Sequence, residues 1–190
     1  MLKDFSRGKM GIVLRFVRVG VLLLIVGIMV QAQELQKIQS FSADFEQRVY
    51  SSENQGEVLK YTGIIKALAP SSVLWVYHKP IPKEVYVDKG MMIIFEPKLQ
   101  QAIVTQLQES MDLLAVLKEA KPIQDNHYEA IVLGQKYTLL LDNGILKEIN
   151  FMDSLGNKVQ IVFSKIVINA KIDKEVFEFS PNSDVDIIYH

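Results

Sequence analysis

Residues 41–50 read Phe-Ser-Ala-Asp-Phe-Glu-Gln-Arg-Val-Tyr, and their pattern is the clearest indication of the fold class. Its side chains alternate in character, with Phe41 and Phe45 on one side and Asp44 and Glu46 on the other. Successive side chains of a β-strand point to opposite faces of the sheet, so the alternation predicts a half-buried strand. A strand with one apolar face belongs in a sheet that buries that face.

The same pattern, or a strongly β-prone composition, recurs along most of the chain. We predict about ten strands, over residues 41–50, 58–67, 73–78, 85–87, 91–95, 127–133, 136–141, 145–152, 158–168 and 176–180. Hairpin turns are predicted at Asp88-Lys89-Gly90, Asp142-Asn143-Gly144 and residues 153–157. No strand–helix alternation of the βαβ type is present, so the predicted sheet is antiparallel.

One section between the strands lacks alternation and is predicted to be helical. It covers residues 100–108 and 110–120, with Ser110 as the expected N-cap and Asp112 in the first turn. One face of this helix would carry Leu113, Leu114 and Leu117. A second short helix is possible over residues 33–40. The predicted fold class is therefore mainly antiparallel β with helices (α+β).

Residues 1–32 have the layout of a secretory signal peptide. An apolar run of 12 residues, Val19–Val30, precedes Ala32, the expected last residue removed, and follows the basic residues Lys3, Arg7, Lys9, Arg15 and Arg18. A membrane-spanning helix needs about 20 residues, so cleavage is favoured over a retained anchor. Met10 is an alternative start. We expect export of a single domain over residues 33–190.

Composition restricts the classes of partner. The chain has 21 Lys and Arg and 22 Asp and Glu, and residues 1–32 hold five of the basic and one of the acidic residues. The exported part is therefore acidic, which argues against nucleic acid and against electrostatic adhesion to anionic lipid. Cysteine is absent, which excludes disulfides, a thiol nucleophile, cysteine metal sites and lipid modification of an N-terminal cysteine.

Catalysis has little support in the sequence. His78, His127 and His190 do not have metal-binding spacing, and neither a Gly-x-Ser-x-Gly elbow nor a phosphate-binding glycine loop is present. The carboxylates within residues 173–175 and 184–186 lie at predicted turns. We therefore expect a protein that is not an enzyme and needs no metal or cofactor.

Some strands are apolar on both faces, which is unusual for an antiparallel sheet. Val73, Trp75 and Tyr77 would face one side, and Leu74 and Val76 the other. Two explanations remain open. Either both faces are covered within a packed core, or the sheet curves around a cavity that holds an apolar ligand.

Five motifs in order along the chain resemble those of the outer-membrane lipoprotein carrier protein family (LolA). They are Phe41–Gln47 (Phe-x-Ala-x-Phe-x-Gln), Pro70 with Trp75–Pro80 (Pro…Trp-x-Tyr-x-x-Pro), the hairpin Asp88–Gly90, Phe95–Gln101 (aromatic-x-Pro-x-x-x-Gln), and Ile172-Asp173 with Phe177–Pro181 (Ile-Asp…Phe-x-Phe-x-Pro). The resemblance implies an incomplete, open β-barrel with helices covering its concave face.

The resemblance also implies a function. Such a protein is a periplasmic carrier that shields the acyl chains of lipoproteins. It takes them from an inner-membrane lipoprotein-releasing ABC transporter and delivers them to the outer membrane, where the acceptor is unknown. We expect a monomer. The alternative is a soluble lipid- or lipoprotein-sensing envelope-stress regulatory module of the same fold.

Site residues follow from the same resemblance. The lipid-binding cavity would be lined by Phe45, Val73, Trp75, Tyr77, Val87, Ile93 and Phe95, and the lid helix would carry Leu113, Leu114 and Leu117. Much of the family has an arginine before the proline of the Pro…Trp motif, where it is thought to latch the lid. This chain has Ala69 there, which has no side-chain donor, so we expect its lid to open at lower cost.

Overall fold

The computed structural model describes residues 35–53, 58–106 and 112–190. The predicted signal peptide and the predicted cap Ser110 lie outside these ranges. The strands of the described part are β1 Ser40–Tyr50, β2 Val58–Leu68, β3 Ser72–Lys79, β4 Lys83–Asp88, β5 Met91–Glu96, β6 Gln101–Gln106, β7 Lys121–Gln124, β8 His127–Val132, β9 Gln135–Asp142, β10 Ile145–Met152, β11 Lys158–Ile168 and β12 Asp186–Tyr189. Helix α1 spans Leu113–Glu119, and a 3-10 helix spans Lys174–Phe177.

The strands form one sheet in the order β12-β6-β5-β4-β3-β2-β1-β11-β10-β9-β8-β7. Neighbours are antiparallel except β12, which runs parallel to β6. The two edge strands, β12 and β7, do not pair with each other, so the sheet formed by the described residues is open. The prediction of a mainly antiparallel, open sheet is confirmed. Within the described ranges, no helix is both long and apolar enough to cross a membrane.

The two faces of the sheet differ in burial. Phe41, Ala43 and Phe45 of β1 are buried, whereas the residues between them are only partly buried. We call the face that carries Phe45 the core face and the opposite one the outer face. The core face buries one continuous apolar cluster that includes Ile65, Val73, Trp75, Val87, Leu139, Ile149, Ile161 and Phe163.

Tight turns connect the hairpins where the sequence predicts them. Asn143 and Gly144 have φ values of 50° and 77°, and Lys89 and Gly90 have φ values of 47° and 81°. Two consecutive positive φ values are typical of the hairpin turn that matches the twist of the strands. The register Asp88↔Met91 and Asp142↔Ile145 places each pair directly across its turn.

Two element predictions are wrong. Residues 101–106, expected to be helical, form β6, because the β-branched run Ile103-Val104-Thr105 pairs with β5. Residues 176–180, expected to be a strand, begin within the 3-10 helix Lys174–Phe177. The C-terminal strand is instead β12, which pairs with β6 through the register Ile188↔Ile103.

Helix α1 begins two residues later than a cap at Ser110 would place it. Asp112 is the N-cap, and its carboxylate accepts hydrogen bonds from the amides of Leu114 and Ala115, both at 3.1 Å. The helix ends at Glu119, and Ala120 has extended backbone. Lys121-Pro122 follows, and proline favours extended backbone in the residue before it.

The outer face of β3–β5 is covered by the segment after β11. The 3-10 helix Lys174–Phe177 lies against β3 and β4, and the ring of Phe179 lies 5.5 Å from that of Tyr86 and 5.3 Å from that of Phe95. Leu74, which is opposite Tyr86, is buried on the same face. The apolar character of both faces of β3 therefore has a structural cause: each face is covered by a different part of the chain.

Candidate functional site

Four aromatic rings on the core face form one connected group. The ring of Phe45 lies 5.1 Å from the rings of Trp75 and Tyr77, and Tyr61 lies 6.0 Å from Tyr77. All three pairs are edge-to-face, an arrangement that aromatic side chains favour. Since these residues come from β1, β2 and β3, the group joins the three central strands.

Strand pairing places five of the seven predicted cavity residues on the core face. Trp75 is opposite Ile65, and Val73 is opposite Val87, while Phe45 and Tyr77 both pair with Gly63. The structure thus brings together Phe45, Val73, Trp75, Tyr77 and Val87.

Ile93 and Phe95, the other two predicted cavity residues, lie on the outer face, opposite the five on the core face. Val87 pairs with Met92, and Val85 pairs with Ile94, so β5 presents Met92 and Ile94 to the core face. Phe95 contacts Phe179 on the other side. The hairpin contained the signal: counting outward from the Asp88–Met91 pair assigns each residue of β5 to a face.

The predicted helix leucines belong to the same buried cluster as the aromatic group. Leu113, Leu114 and Leu117 are buried, and so is Val116, which was not among the residues predicted for this face. Helix α1 contacts β8, which is next to the β7 edge, and β2, which is near the middle of the sheet. Its buried side chains belong to the apolar cluster of the core face.

Burial along the core face is uneven. Phe45 and Trp75 are only 4% and 5% exposed. Farther toward the β12 edge, Val85, Ile94, Ile103 and Ile188 form a row in register across β4, β5, β6 and β12, and each is only partly buried. The row continues from Trp75, which pairs with Val85. An apolar strip therefore runs from the buried aromatic group to a less covered part of the sheet.

A polar corner adjoins this strip. The hydroxyl of Tyr77 donates a hydrogen bond to Oε1 of Gln47 (3.0 Å), and Nζ of Lys83 lies 4.6 Å from the ring centroid of Tyr77 and 5.7 Å from that of Tyr61. Burial raises the pKa of the Tyr77 hydroxyl. Burial also lowers the pKa of the Lys83 ammonium, against the opposing effect of the Glu96 charge.

The histidines, the carboxylates and Ala69, which the sequence analysis also considered, contribute little to the chemistry of the site. In the described part of the chain, no group of three or more His, Asp or Glu side chains is placed to hold a metal ion. Ala69 packs against the apolar cluster, and its backbone amide donates to the carbonyl of Gln39 (2.8 Å). The site is thus an apolar surface with one polar corner.

Comparison with known proteins gives a family match. Residues 36–132 match the family model described as outer membrane lipoprotein carrier protein LolA. An outer-membrane lipoprotein carrier protein from Wolinella succinogenes is 39% identical over 154 residues, which cover 80% of this chain and 88% of that protein. One from Helicobacter pylori strain J99 is 37% identical over 159 residues, with 83% and 84% coverage.

The fold has solved counterparts. The crystal structure of a LolA superfamily protein from Nitrosomonas europaea matches with a TM-score of 0.50 and 11% sequence identity, over 80% of this chain and 97% of that one. At this identity the likeness concerns the fold alone. The family match and the two curated relatives show that the chain belongs to the LolA family of outer membrane lipoprotein carrier proteins.

Proposed function

We propose that this protein is a monomeric periplasmic carrier, a single domain over residues 33–190 that shields the acyl chains of lipoproteins. It takes its cargo from an inner-membrane lipoprotein-releasing ABC transporter and delivers it to an acceptor at the outer membrane. The observation that carries the proposal is the apolar strip of the core face, from Phe45 and Trp75 to Ile103, in a chain of the lipoprotein carrier family.

The physical need for such a carrier follows from the cost of exposing acyl chains to water. Each exposed methylene costs about 0.8 kcal/mol, so a chain of about 16 carbons costs roughly 12 kcal/mol. A cavity that recovered this energy for several chains would exceed the practical affinity limit of roughly 18 to 21 kcal/mol. A carrier that also releases its cargo must therefore bind less tightly than its apolar surface allows.

Helix α1 provides a means of weakening the binding. It follows β6, which is next to one edge of the sheet, and leads into β7 at the other edge, so the chain crosses between the two edges at this point. Its four buried side chains occupy the cluster that contains Trp75. We infer that α1 covers the concave face as a lid and that cargo displaces it, which lowers the net affinity.

The test uses one variant on the sheet and one on the helix. Trp75→Glu and Leu114→Glu place a carboxylate in the buried cluster, whereas Leu133→Glu changes a turn residue that is 70% exposed and serves as the control. Each protein is exported, purified and analysed by mass spectrometry for bound lipoprotein. We expect cargo with the wild type and with Leu133→Glu, and its loss in the other two while circular dichroism shows that the sheet persists.

A transfer assay separates the carrier from the sensor. Cargo-loaded protein is mixed with acceptor vesicles, and movement of labelled lipoprotein into the vesicles is followed. Transfer by the wild type supports a carrier. Stable binding without transfer to any acceptor membrane would instead favour a regulatory module that senses lipid or lipoprotein.

A further inference from the structure

The polar corner next to the apolar strip contains a cation, Lys83, for which no ion pair or hydrogen bond to another described side chain is found. Lys83 pairs with Tyr77 across β3 and β4, so its side chain starts on the core face. Its ammonium group lies over the rings of Tyr77 and Tyr61 and, among the residues that the structure describes, has no carboxylate within ion-pair distance. The faces of the tyrosine rings attract the ammonium charge, but its three N–H groups form no conventional hydrogen bond with them.

Lys83 lies beside the apolar strip on the core face. Tyr77 and Lys83 belong to the row next to that of Trp75, Val85, Ile94 and Ile103, and they lie on the same face. A chain lying along the strip with one end at Trp75 and Val85 would place that end within reach of this corner. Such a chain carries its polar group at its end, since the ester or amide carbonyl follows the last methylene.

The charge of the surroundings favours a neutral acceptor over an anion. The register Val85↔Ile94 places Glu96, two residues after Ile94, in the same core-face row as Lys83, and its charge opposes the fall of the Lys83 pKa without an ion pair between them. A phosphate or carboxylate entering the corner would be repelled by Glu96 while it was attracted by Lys83. A carbonyl oxygen accepts a hydrogen bond from the ammonium and carries no net charge.

We propose that Lys83, with Tyr61 and Tyr77, forms the polar end of the acyl site, where its ammonium donates hydrogen bonds to the ester or amide carbonyls of the cargo. The inference rests on the proposed carrier function and adds a specificity-determining residue to it. Lys83 would then distinguish acylated cargo from plain hydrocarbon of equal length.

The test compares two ligands and three proteins. The ligands are a synthetic lipopeptide with two ester-linked chains on a glyceryl cysteine and its dialkyl ether analogue, which has the same chains without the two carbonyls. Binding is followed by the fluorescence of Trp75, the single tryptophan of the chain. The proteins are the wild type, Lys83→Met, which keeps an unbranched apolar stem, and Lys66→Met, a control on the outer face of β2.

We expect the wild type and Lys66→Met to bind the ester roughly tenfold more tightly than the ether, as one charge-assisted hydrogen bond would give. Lys83→Met should bind both ligands with the affinity that the wild type has for the ether. An unchanged ester preference in Lys83→Met would overturn the inference and leave the carrier function standing.

Two further outcomes separate the remaining explanations. If the wild type binds neither ligand, the carrier function itself fails, and the role of Lys83 fails with it. A third ligand, phosphatidic acid, tests the charge argument. If it binds more tightly than the ester lipopeptide and loses that advantage in Lys83→Met, the corner is a phosphate site and the carbonyl assignment is wrong.

Discussion

The ring of Phe45 occupies the space beside Gly63 on the neighbouring strand. A Cβ on Gly63 would lie 2.9 Å from two carbons of that ring and would overlap the carbonyl oxygen of Val76. The absent side chain thus lets Phe45 reach both Trp75 and Tyr77 at 5.1 Å. The aromatic group of the site depends on this glycine.

Gly63→Ala is therefore expected to destabilise the fold by about 1 to 3 kcal/mol, the usual cost of overpacking a core. The direction of the change in stability is informative. An alanine that replaces glycine without strain stabilises a protein, because it lowers the conformational entropy of the unfolded chain. The free energy of unfolding is measured in urea. Thr62→Ala, the adjacent change on the partly buried outer face, is the control and should have a smaller effect. Equal or greater stability of Gly63→Ala would show that the ring does not need the space.

Asp112 gives a prediction about pH, because burial raises the pKa of its carboxyl, against the opposing effect of hydrogen bonds from the Ala115 and Leu114 amides. An acid with a raised pKa binds its proton more tightly in the folded state. Its contribution to stability is therefore present at low pH and is lost as the pH rises above about 4. Asp112→Asn keeps a good N-cap without this titration.

The stability of Asp112→Asn relative to the wild type should consequently be more favourable at pH 7 than at pH 3.5, when urea midpoints are compared at both values. Asp112→Ala, which removes the cap, should cost about 1 kcal/mol at pH 7. A difference between Asp112→Asn and the wild type that stays constant with pH would contradict the raised pKa.

Opening of α1 is a prediction for hydrogen exchange. The amide of Val116 donates to the carbonyl of Asp112 (3.0 Å) within a helix of seven residues, and Ala69 offers no side-chain donor to hold it. Amides of α1 should exchange through local opening, at least tenfold faster than the paired amides of β1. Equal protection of the two elements would mean that α1 opens only when the whole domain unfolds, and would argue against a lid.

Ile93 and Ile94 form a matched pair of neighbours on opposite faces of β5. Ile94→Ala should weaken binding of a diacyl lipopeptide about fivefold, since it removes apolar surface from the core face. Ile93→Ala should leave the affinity unchanged, because its side chain points to the outer face, where it pairs with Tyr86. Affinities are obtained from Trp75 fluorescence. A larger loss of affinity for Ile93→Ala than for Ile94→Ala would place the binding site on the outer face.

The sequence predicted well those elements in which local pattern and tertiary environment agree. In β1, one face is buried and the other is partly exposed, so alternation identified both the strand and the core position of Phe45. In β5, the run Met91–Phe95 is apolar throughout and its residues after Met91 are all partly buried, so alternation could not assign Ile93 to a face. The hairpin register was needed for that.

Other elements depended on long-range contacts that no local pattern contains. Residues 101–106 form a strand because β5 and β12 lie on either side of them, and Phe177 is buried in a 3-10 helix because β3 and β4 are beside it. The polar corner was also missed, since Lys83 follows a proline-rich turn and resembles any surface lysine. Only its register with Tyr77 reveals its position.

The pairing of β1 with β11 has a consequence for how the chain reaches its final state. Arg48 and Gln160, which face each other across this pair, are 112 residues apart. Proteins are synthesised from the N-terminus, so β1 to β6 are complete while one side of β1 still lacks its neighbour. An unpaired strand flank is a template for another chain. Until β11 pairs with β1, protection from aggregation must come from a chaperone or from rapid folding.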